Sequence, residues 1–300
     1  MMGYDAAPLV IEGLEKRFGP VRALAGVSFS VGAGEVFGYL GPNGAGKTTT
    51  LRIILGLFRA TAGRVAVFGR DPGDVNSRAS TGYLPGELDL YGDLTGAEIL
   101  DYFAGFRPGR APVLRSRLIG ALGLAATDLG RRVKFLSHGP KQKIGLVIAM
   151  QHDPDLLLLD EPTTGLDPLV QRAFRDLVLD FAGRGRAVFF SSHVLSEVET
   201  VCRRVAILRA GALVAVEAVE GLRARMLRRL EARFRGPVPS DLKNVAGVVR
   251  SETEGSTVRL WVRGDVNPVL RRIAGEEVER FVFPEAELED IFLTYYRGEA

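Results

Sequence analysis

The chain has 300 residues, 46% of them hydrophobic, a net charge of +3 and one cysteine. That apolar content supports one large core and a smaller one, so two domains are expected, or one domain with an appendage. The small net charge, carried almost wholly by arginine, argues for no nucleic-acid partner. Cys202 alone excludes an intramolecular disulfide framework and fits a reducing compartment. No apolar run reaches the roughly 18–20 residues that cross a bilayer, and the opening MMGYDAAPLV lacks the basic and apolar regions of a signal peptide. A soluble, intracellular protein is expected, one that acts at a membrane only through a partner.

Taken in order, Leu9–Leu14, Val27–Val31 and Val36–Leu40 are short apolar or alternating runs broken by glycine and predict strands. The next residues, GPNGAGKT at Gly41–Thr48, fit G-x-x-x-x-G-K-[ST] in full, between a predicted strand and a predicted helix over Thr48–Phe58. Glycines let the backbone wrap an anion, and the helix N-terminus adds its positive end. Lys47 would supply a point charge to the β- and γ-phosphates, and the Thr48 hydroxyl would sit on Mg²⁺. The loop implies a nucleoside triphosphate and leaves the chemistry open. Arg64–Phe68 predicts another strand, and the stretch from about Gly86 to Met150 is mostly helical in pattern. Within it Thr95 and Glu98 have the spacing of a capping box.

LSHGPKQ at Leu136–Gln142 reads as a phosphate-contacting turn running into a helix over Lys141–Met150, with Pro140 at the first helical position. Leu156–Leu159 and Ala187–Phe190 are fully apolar, as strands buried on both faces are. The first ends in two carboxylates. Asp160 would hold Mg²⁺ at the carboxyl end of a parallel strand, and Glu161, pointing elsewhere, would take a proton from an attacking water. TTGLDP at Thr163–Pro168 is a turn that presents Asp167. VFFSSH at Val188–His193 delivers His193 at a strand end, where an imidazole can contact the γ-phosphate and hold the water. Strands alternating with helices give an α/β core with a largely parallel sheet.

After about Val216 the character changes. Leu222–Arg235 is arginine-rich and reads as a solvated face. Then come the alternating runs VVRSE and TVRLWVR, a helix-like NPVLRRIA, a strand-like VERFVF and a helix-like EAELEDIFLTYY. A small α+β domain over 216–300 is expected beside a first domain over 1–215. In the final stretch Leu288, Ile291, Phe292 and Tyr295 share one helical face.

GPNGAGKTTT, LSHGPKQK, LLLLDEPTTGLDP and SSH, in this order, resemble the ATP-binding subunit of ABC transporters over about Leu9–Leu213. The resemblance implies a P-loop NTPase core with a largely parallel sheet, an antiparallel β subdomain and a helical subdomain inserted at about 86–150. It implies binding and hydrolysis of ATP with Mg²⁺, on the cytoplasmic face of the cell membrane, powering a separate integral membrane permease. The nucleotide would be held by Gly41, Pro42, Asn43, Gly44, Ala45, Gly46, Lys47, Thr48 and Thr49, and Phe18 would stack on adenine. In this family two subunits, alike or different, pack head to tail. Ser137 and the Gly139 backbone would then touch the γ-phosphate in the partner's loop, and Asp167 would also belong to the nucleotide-binding set. LEDIFLTYYRG at Leu288–Gly298 resembles the tail of drug, lipid and polysaccharide exporter ATPases.

Two positions depart from the family. His138 replaces a glycine, at a cost of about 1 kcal/mol if the backbone there needs positive φ. Gly86 stands where a glutamine is expected, so either Glu87 substitutes for it or water completes the Mg²⁺ shell. Two other readings stay open: a soluble ABC-type ATPase acting on ribosomes or DNA, and a degenerate regulatory subunit of a heterodimer. The single cassette and the lack of a long coiled-coil insertion weigh against the former; Gly86 and His138 speak for the latter.

Overall fold

The computed structural model describes residues 7–107, 109, 111–224 and 227–283. The chain divides into two compact units, Met1–Val216 and Glu217–Ala300. The first unit begins with β1 (Leu9–Phe18), β2 (Val21–Val31) and β3 (Val36–Leu40), then α1 (Lys47–Ile54), β4 (Ala62–Val67), α2 (Val75–Ala79) and β5 (Thr81–Leu84). Helices α3 (Gly96–Gly105), α4 (Arg115–Ala121), α5 (Ala126–Gly130) and α6 (His138–Met150) follow. The unit continues through β6 (Leu156–Asp160), α7 (Pro168–Gly183), β7 (Ala187–Ser192), α8 (Leu195–Val201) and β8 (Arg204–Arg209) to β9 (Ala212–Ala218).

Two sheets carry this unit. Strands β2-β1-β4 form an antiparallel sheet. The second sheet has the order β5-β6-β7-β3-β8-β9, and the pairs from β5 through β8 are parallel. Ala210 and Gly211, both at positive φ (47° and 80°), make the tight turn from β8 to β9. Strands β3, β6 and β7 are buried along their whole length, which is why they read as continuous apolar runs. Each Leu of Leu156–Leu159 is fully buried, worth about 1.5–3 kcal/mol of transfer free energy apiece. Phe29 of the antiparallel sheet stacks on Phe37 (5.0 Å between centroids) and Phe189 (5.7 Å) of the parallel one, so one core joins the two sheets. Within that core the Tyr39 hydroxyl lies 3.1 Å from Thr50 Oγ1, tying β3 to α1 on either side of the glycine loop. Burial pushes the Tyr39 phenol pKa far up.

The elements differ from the sequence-based expectation in identifiable ways. Helix α1 stops at Ile54 rather than Phe58, because Leu55 caps it and Gly56 turns the chain at φ 70°. Strand β1 continues past the expected end at Leu14 to Phe18, and β2 begins before Gly26 at Val21, since register shifts near Gly13 absorb the irregularity. Helix α6 starts at His138, not Lys141. Pro140 is therefore the third helical residue, still in the first turn, where a missing N–H costs nothing. His138 has no positive φ, so its β-carbon carries no strain.

The second unit holds α9 (Val219–Ala224), β10 (Leu227–Phe234), β11 (Val248–Glu254), β12 (Thr257–Arg263), α10 (Asn267–Ile273) and β13 (Val278–Val282). Its sheet, β11-β12-β10-β13, is antiparallel. Val258, Leu260 and Val262 alternate inward against Leu230, Ala232 and Phe234, with Val269 and Ile273 of α10. Leu222–Arg235 is thus only partly a solvated face: in β10 the exposed Arg229 and Arg233 alternate with the core residues Leu230, Ala232 and Phe234. The expected helix over 285–296 lies outside the described residues.

The capping box forms as expected: Thr95 Oγ1 accepts from Glu98 N (3.2 Å) and Glu98 Oε2 accepts from Thr95 N (2.8 Å). Replacing Thr95 by Ala should lower stability by about 1 kcal/mol, measured by chemical denaturation; an unchanged midpoint would show that α3 does not depend on its cap.

Candidate active site

The parallel sheet delivers three carboxyl ends to one edge. Strand β3 runs into the glycine loop, β6 into Asp160–Glu161, and the neighbouring β7 into His193. They border a cavity of about 570 Å³ lined by Lys47, Thr48, Asp160, Glu161 and His193, among others.

The loop closes on itself before any ligand arrives. Lys47, only 6% exposed, donates to Gly41 O (2.6 Å) and Pro42 O (3.3 Å). Gly46 sits at φ 110° immediately before α1. A β-carbon there would fall 2.8 Å from Ala23 O and 2.8 Å from Leu24 Cδ2. Only glycine lets the loop pass beneath β2 at this point.

Two carboxylates, adjacent in sequence, have separate partners. Asp160, 2% exposed, accepts from Thr48 Oγ1 (2.9 Å) and from Ser191 Oγ. Glu161 adopts a left-handed backbone (φ 49°), a strain of about 1–3 kcal/mol that concentrates at functional sites. That turn lets its N–H reach Ser191 O (3.1 Å) while its side chain spans the cavity. Glu161 Oε1 is buried without a hydrogen-bond donor but lies 3.2 Å from the Lys47 ammonium. Glu161 Oε2 lies 2.7 Å from His193 Nδ1. A carboxylate only accepts, so Nδ1 carries the proton in this arrangement, and in the neutral ring Nε2 is then the acceptor. Tyr83, also on the cavity wall, has its pKa pushed up to about 12, first by burial and then by the Asp160 charge.

Other expected residues are placed less uniformly. Gly44, Gly46 and Thr49 line the cavity with Pro42 and Asn43. Gly86 and Glu87 line it too; a β-carbon on Gly86 would lie 3.5 Å from Asp160 Oδ2. Phe18, Gly41, Ala45, Ser137, Gly139 and Asp167 are not among its lining residues. Phe18 is 44% exposed at the end of β1, edge-on to Phe58 (5.5 Å) and beneath the Lys16 ammonium (4.8 Å). Asp167 caps α7 by accepting from Leu169 N and Val170 N. Ser137 precedes α6 with its hydroxyl making no cap bond. His138 packs its ring over Gly165, where a β-carbon would fall 2.1 Å from Nδ1. Gln142 Nε2 donates to Pro162 O (3.0 Å), so the turn after Glu161 is also the seat of α6.

The sequence reading missed Ser191, the second donor to Asp160, and Glu197, which accepts from Thr163 Oγ1 and from Ser192 Oγ (2.7 Å). The available signal was two hydroxyls at the end of an otherwise apolar strand: buried hydroxyls require partners.

Comparison with known proteins agrees with this geometry. The ABC transporter family profile matches residues 24–164. The Nod factor export ATP-binding protein I of Burkholderia orbicola (strain AU 1054) is 33% identical over 295 residues, covering 96% of this chain and 97% of that protein. The chain belongs to the ABC transporter ATP-binding family. It is an ATPase of that family, with the P-loop α/β fold. An uncharacterized ABC transporter ATP-binding protein of Nostoc sp. is 42% identical over 198 residues, 65% of this chain and 59% of that protein, so the match spans less than two thirds of that relative's length. Among solved structures, an ATP-binding subunit of an ABC transporter is 30% identical with a TM-score of 0.66, covering 72% of this chain and 91% of that one. A dimeric bacterial ABC transporter cassette shares the fold, with a TM-score of 0.65 over 70% of this chain and 98% of that one at 21% identity.

Replacing Gly46 by Ala should weaken ATP binding about tenfold or more, since strain of 1–3 kcal/mol falls directly on the loop. Equilibrium titration with nucleotide checks this, and wild-type affinity would show that the loop yields to the added carbon.

Proposed function

We propose that the chain is the ATP-hydrolysing subunit that powers a separate transmembrane permease, an exporter, through ATP-driven head-to-tail dimerisation. The observation that carries the hydrolysis reading is the convergence of Lys47, Thr48, Asp160, Glu161 and His193 on one cavity beneath an anion-binding loop. The loop N–H groups and the start of α1 receive the phosphates. Lys47 now neutralises Glu161. An entering polyphosphate competes for that ammonium and frees Glu161 Oε1 to act as base beside the substrate, while Oε2 keeps its bond to His193. Glu161 then accepts the proton of the attacking water while His193 Nε2, fixed by the Nδ1–Glu161 bond, orients that water.

Thr48 Oγ1 and Asp160 Oδ2 are hard oxygen donors that suit Mg²⁺, a cation that takes its remaining ligands from phosphate and water. That division fits a site in which, among the described residues, no group of three or more His, Cys, Asp or Glu is placed to hold a metal ion by itself. Mg²⁺ bound there would neutralise charge on the phosphates. Gly86 contributes nothing beyond space beside Asp160, and Glu87, on the cavity wall, is the side chain able to approach in its place.

Ser137 and Gly139 lie off the cavity of their own chain, at the N-terminus of a 13-residue helix. They are free to complete the cavity of a second copy, alike or different. The exporter assignment is supported by likeness to Nod factor export proteins over 96% of the chain, the second unit included. Attachment to a permease is supported by an exposed aromatic cluster on and flanking α3. There Tyr91 and Tyr102 meet edge-on at 5.2 Å, and Tyr102 and Phe106 at 4.9 Å. No helix among the described residues is long and apolar enough to cross a membrane. The cytoplasmic face of the membrane, reached through the permease, is the place this reading assigns.

Purification of the tagged chain from gently solubilised membranes should bring down a stoichiometric polytopic protein; recovery with ribosomes or DNA alone would overturn the permease reading. Glu161→Gln should lower kcat by roughly 10²–10⁴-fold, the usual share of a general base, while nucleotide still binds. Turnover near the wild-type rate in that variant would remove Glu161 from the role of base.

A further inference from the structure

Glu161 and His193 belong to different strands, and each is followed by a turn. What sets the 2.7 Å between them is not evident from the strands alone. The β6–β7 register ends at Asp160 opposite Ser191, and the single backbone bond beyond it is Glu161 N to Ser191 O at 3.1 Å. Past that point β6 has ended, while β7 runs one residue further to Ser192, still paired with Leu40 of β3. Two side chains bring them back together. Thr163, two residues after Glu161 and 8% exposed, donates its hydroxyl to Glu197 Oε1. Ser192, the fully buried neighbour of His193, donates its hydroxyl to Glu197 Oε2 at 2.7 Å. Ser192 Oγ in turn accepts from Val194 N at 2.9 Å, fixing the residue on the other side of His193.

We propose that Glu197 is a positioning residue for hydrolysis: its carboxylate clasps the turn after Glu161 to the strand end that carries His193, and so holds the base and the imidazole in register. The inference rests on the hydrolysis reading above. Glu197 does not reach the cavity of Lys47 and Asp160; it lines a separate cavity of about 400 Å³ between α7 and α8. It acts only through its neighbours. Among the described residues Glu197 has no cationic partner, so its charge is met by the two hydroxyls, and a carboxylate suits them because both of its oxygens only accept. Helix α8 has just seven residues and no side-chain cap at Val194. Besides the clasp, the segment bearing His193 is held by Gly41 N donating to Ser192 O (3.3 Å) and by the long bond from His193 N to Glu161 Oε2 (3.4 Å). A displacement of about 1 Å at reacting groups costs up to 10²-fold in rate, so a clasp of two hydrogen bonds has catalytic leverage.

The test is steady-state ATPase activity and equilibrium nucleotide binding of the full chain as Glu197→Ala, His193→Ala and the double variant. Glu197→Ala should lower kcat about ten- to hundredfold with little change in nucleotide affinity. It should add no further loss on the His193→Ala background, because both changes remove the same arrangement. A purely structural glutamate would reduce both backgrounds by the same factor, and that result overturns the proposal, as does a Glu197→Ala kcat within about twofold of wild type. If Glu197→Ala does not fold, Thr163→Val, which keeps the shape and removes one donor, should still lower kcat severalfold, and wild-type turnover there overturns the clasp. Wild-type turnover in both Glu161→Gln and His193→Ala would instead overturn the hydrolysis site on which the clasp depends.

Discussion

One ammonium group with two claims on it organises the site. Lys47 is almost wholly buried at the start of α1, and the carbonyls of Gly41 and Pro42 hold it inside the loop it belongs to. From there it reaches Glu161 Oε1, an oxygen with no hydrogen-bond donor. A buried carboxylate without a counter-charge is costly, so Lys47 is what makes the ligand-free site tenable. A polyphosphate requires the same charge. Binding of substrate and release of the base are thus one exchange of partners.

The sheet makes that exchange possible. Strand β3 lies beside β7, and β7 beside β6, so the loop, the imidazole and the carboxylates leave adjacent parallel strands at one edge. The core of Phe29, Phe37, Tyr39 and Phe189 fixes the strands, and Tyr39–Thr50 links them to α1. The turn after Glu161 extends the network outward. It seats Gln142 and His138 of α6, and through Thr163 it meets Glu197 of α8. A change at the base is therefore mechanically close to Ser137 and Gly139, the residues proposed to face a second copy.

The central strands and the glycine loop were legible because continuous apolar runs and phosphate-binding glycines are local signals. Strand β5 was not: it has four residues, and Gly82 within it looks like a loop residue. The structure explains that glycine by contact, since a β-carbon there would fall 2.1 Å from Ala149 O of α6. The α6 boundary is not legible in the sequence because His138 and Pro140 are typical of turns, whereas the chain is already helical at His138. In the second unit the arginines of β10 concealed a strand whose alternate residues are core. Lys47, Thr48, Asp160, Glu161 and His193 meet as their motifs suggested. Phe18, Gly41, Ala45, Ser137, Gly139 and Asp167 do not line that cavity: Phe18 packs against Phe58, Asp167 caps α7, and Ser137 and Gly139 are the residues proposed to serve a second copy. Ser191 and Glu197 escaped notice because their roles exist only once β6, β7 and α8 are side by side.

The central claim is that Glu161 and the triphosphate compete for Lys47, and equilibrium binding of a non-hydrolysable ATP analogue tests it most directly. Comparing wild type with Glu161→Gln removes the competing charge and leaves the shape. The account expects tighter binding by the variant, with the gain shrinking in high salt as the ion pair is screened. Equal or weaker binding would contradict it, and would mean that Lys47 is committed to the loop and not to the base.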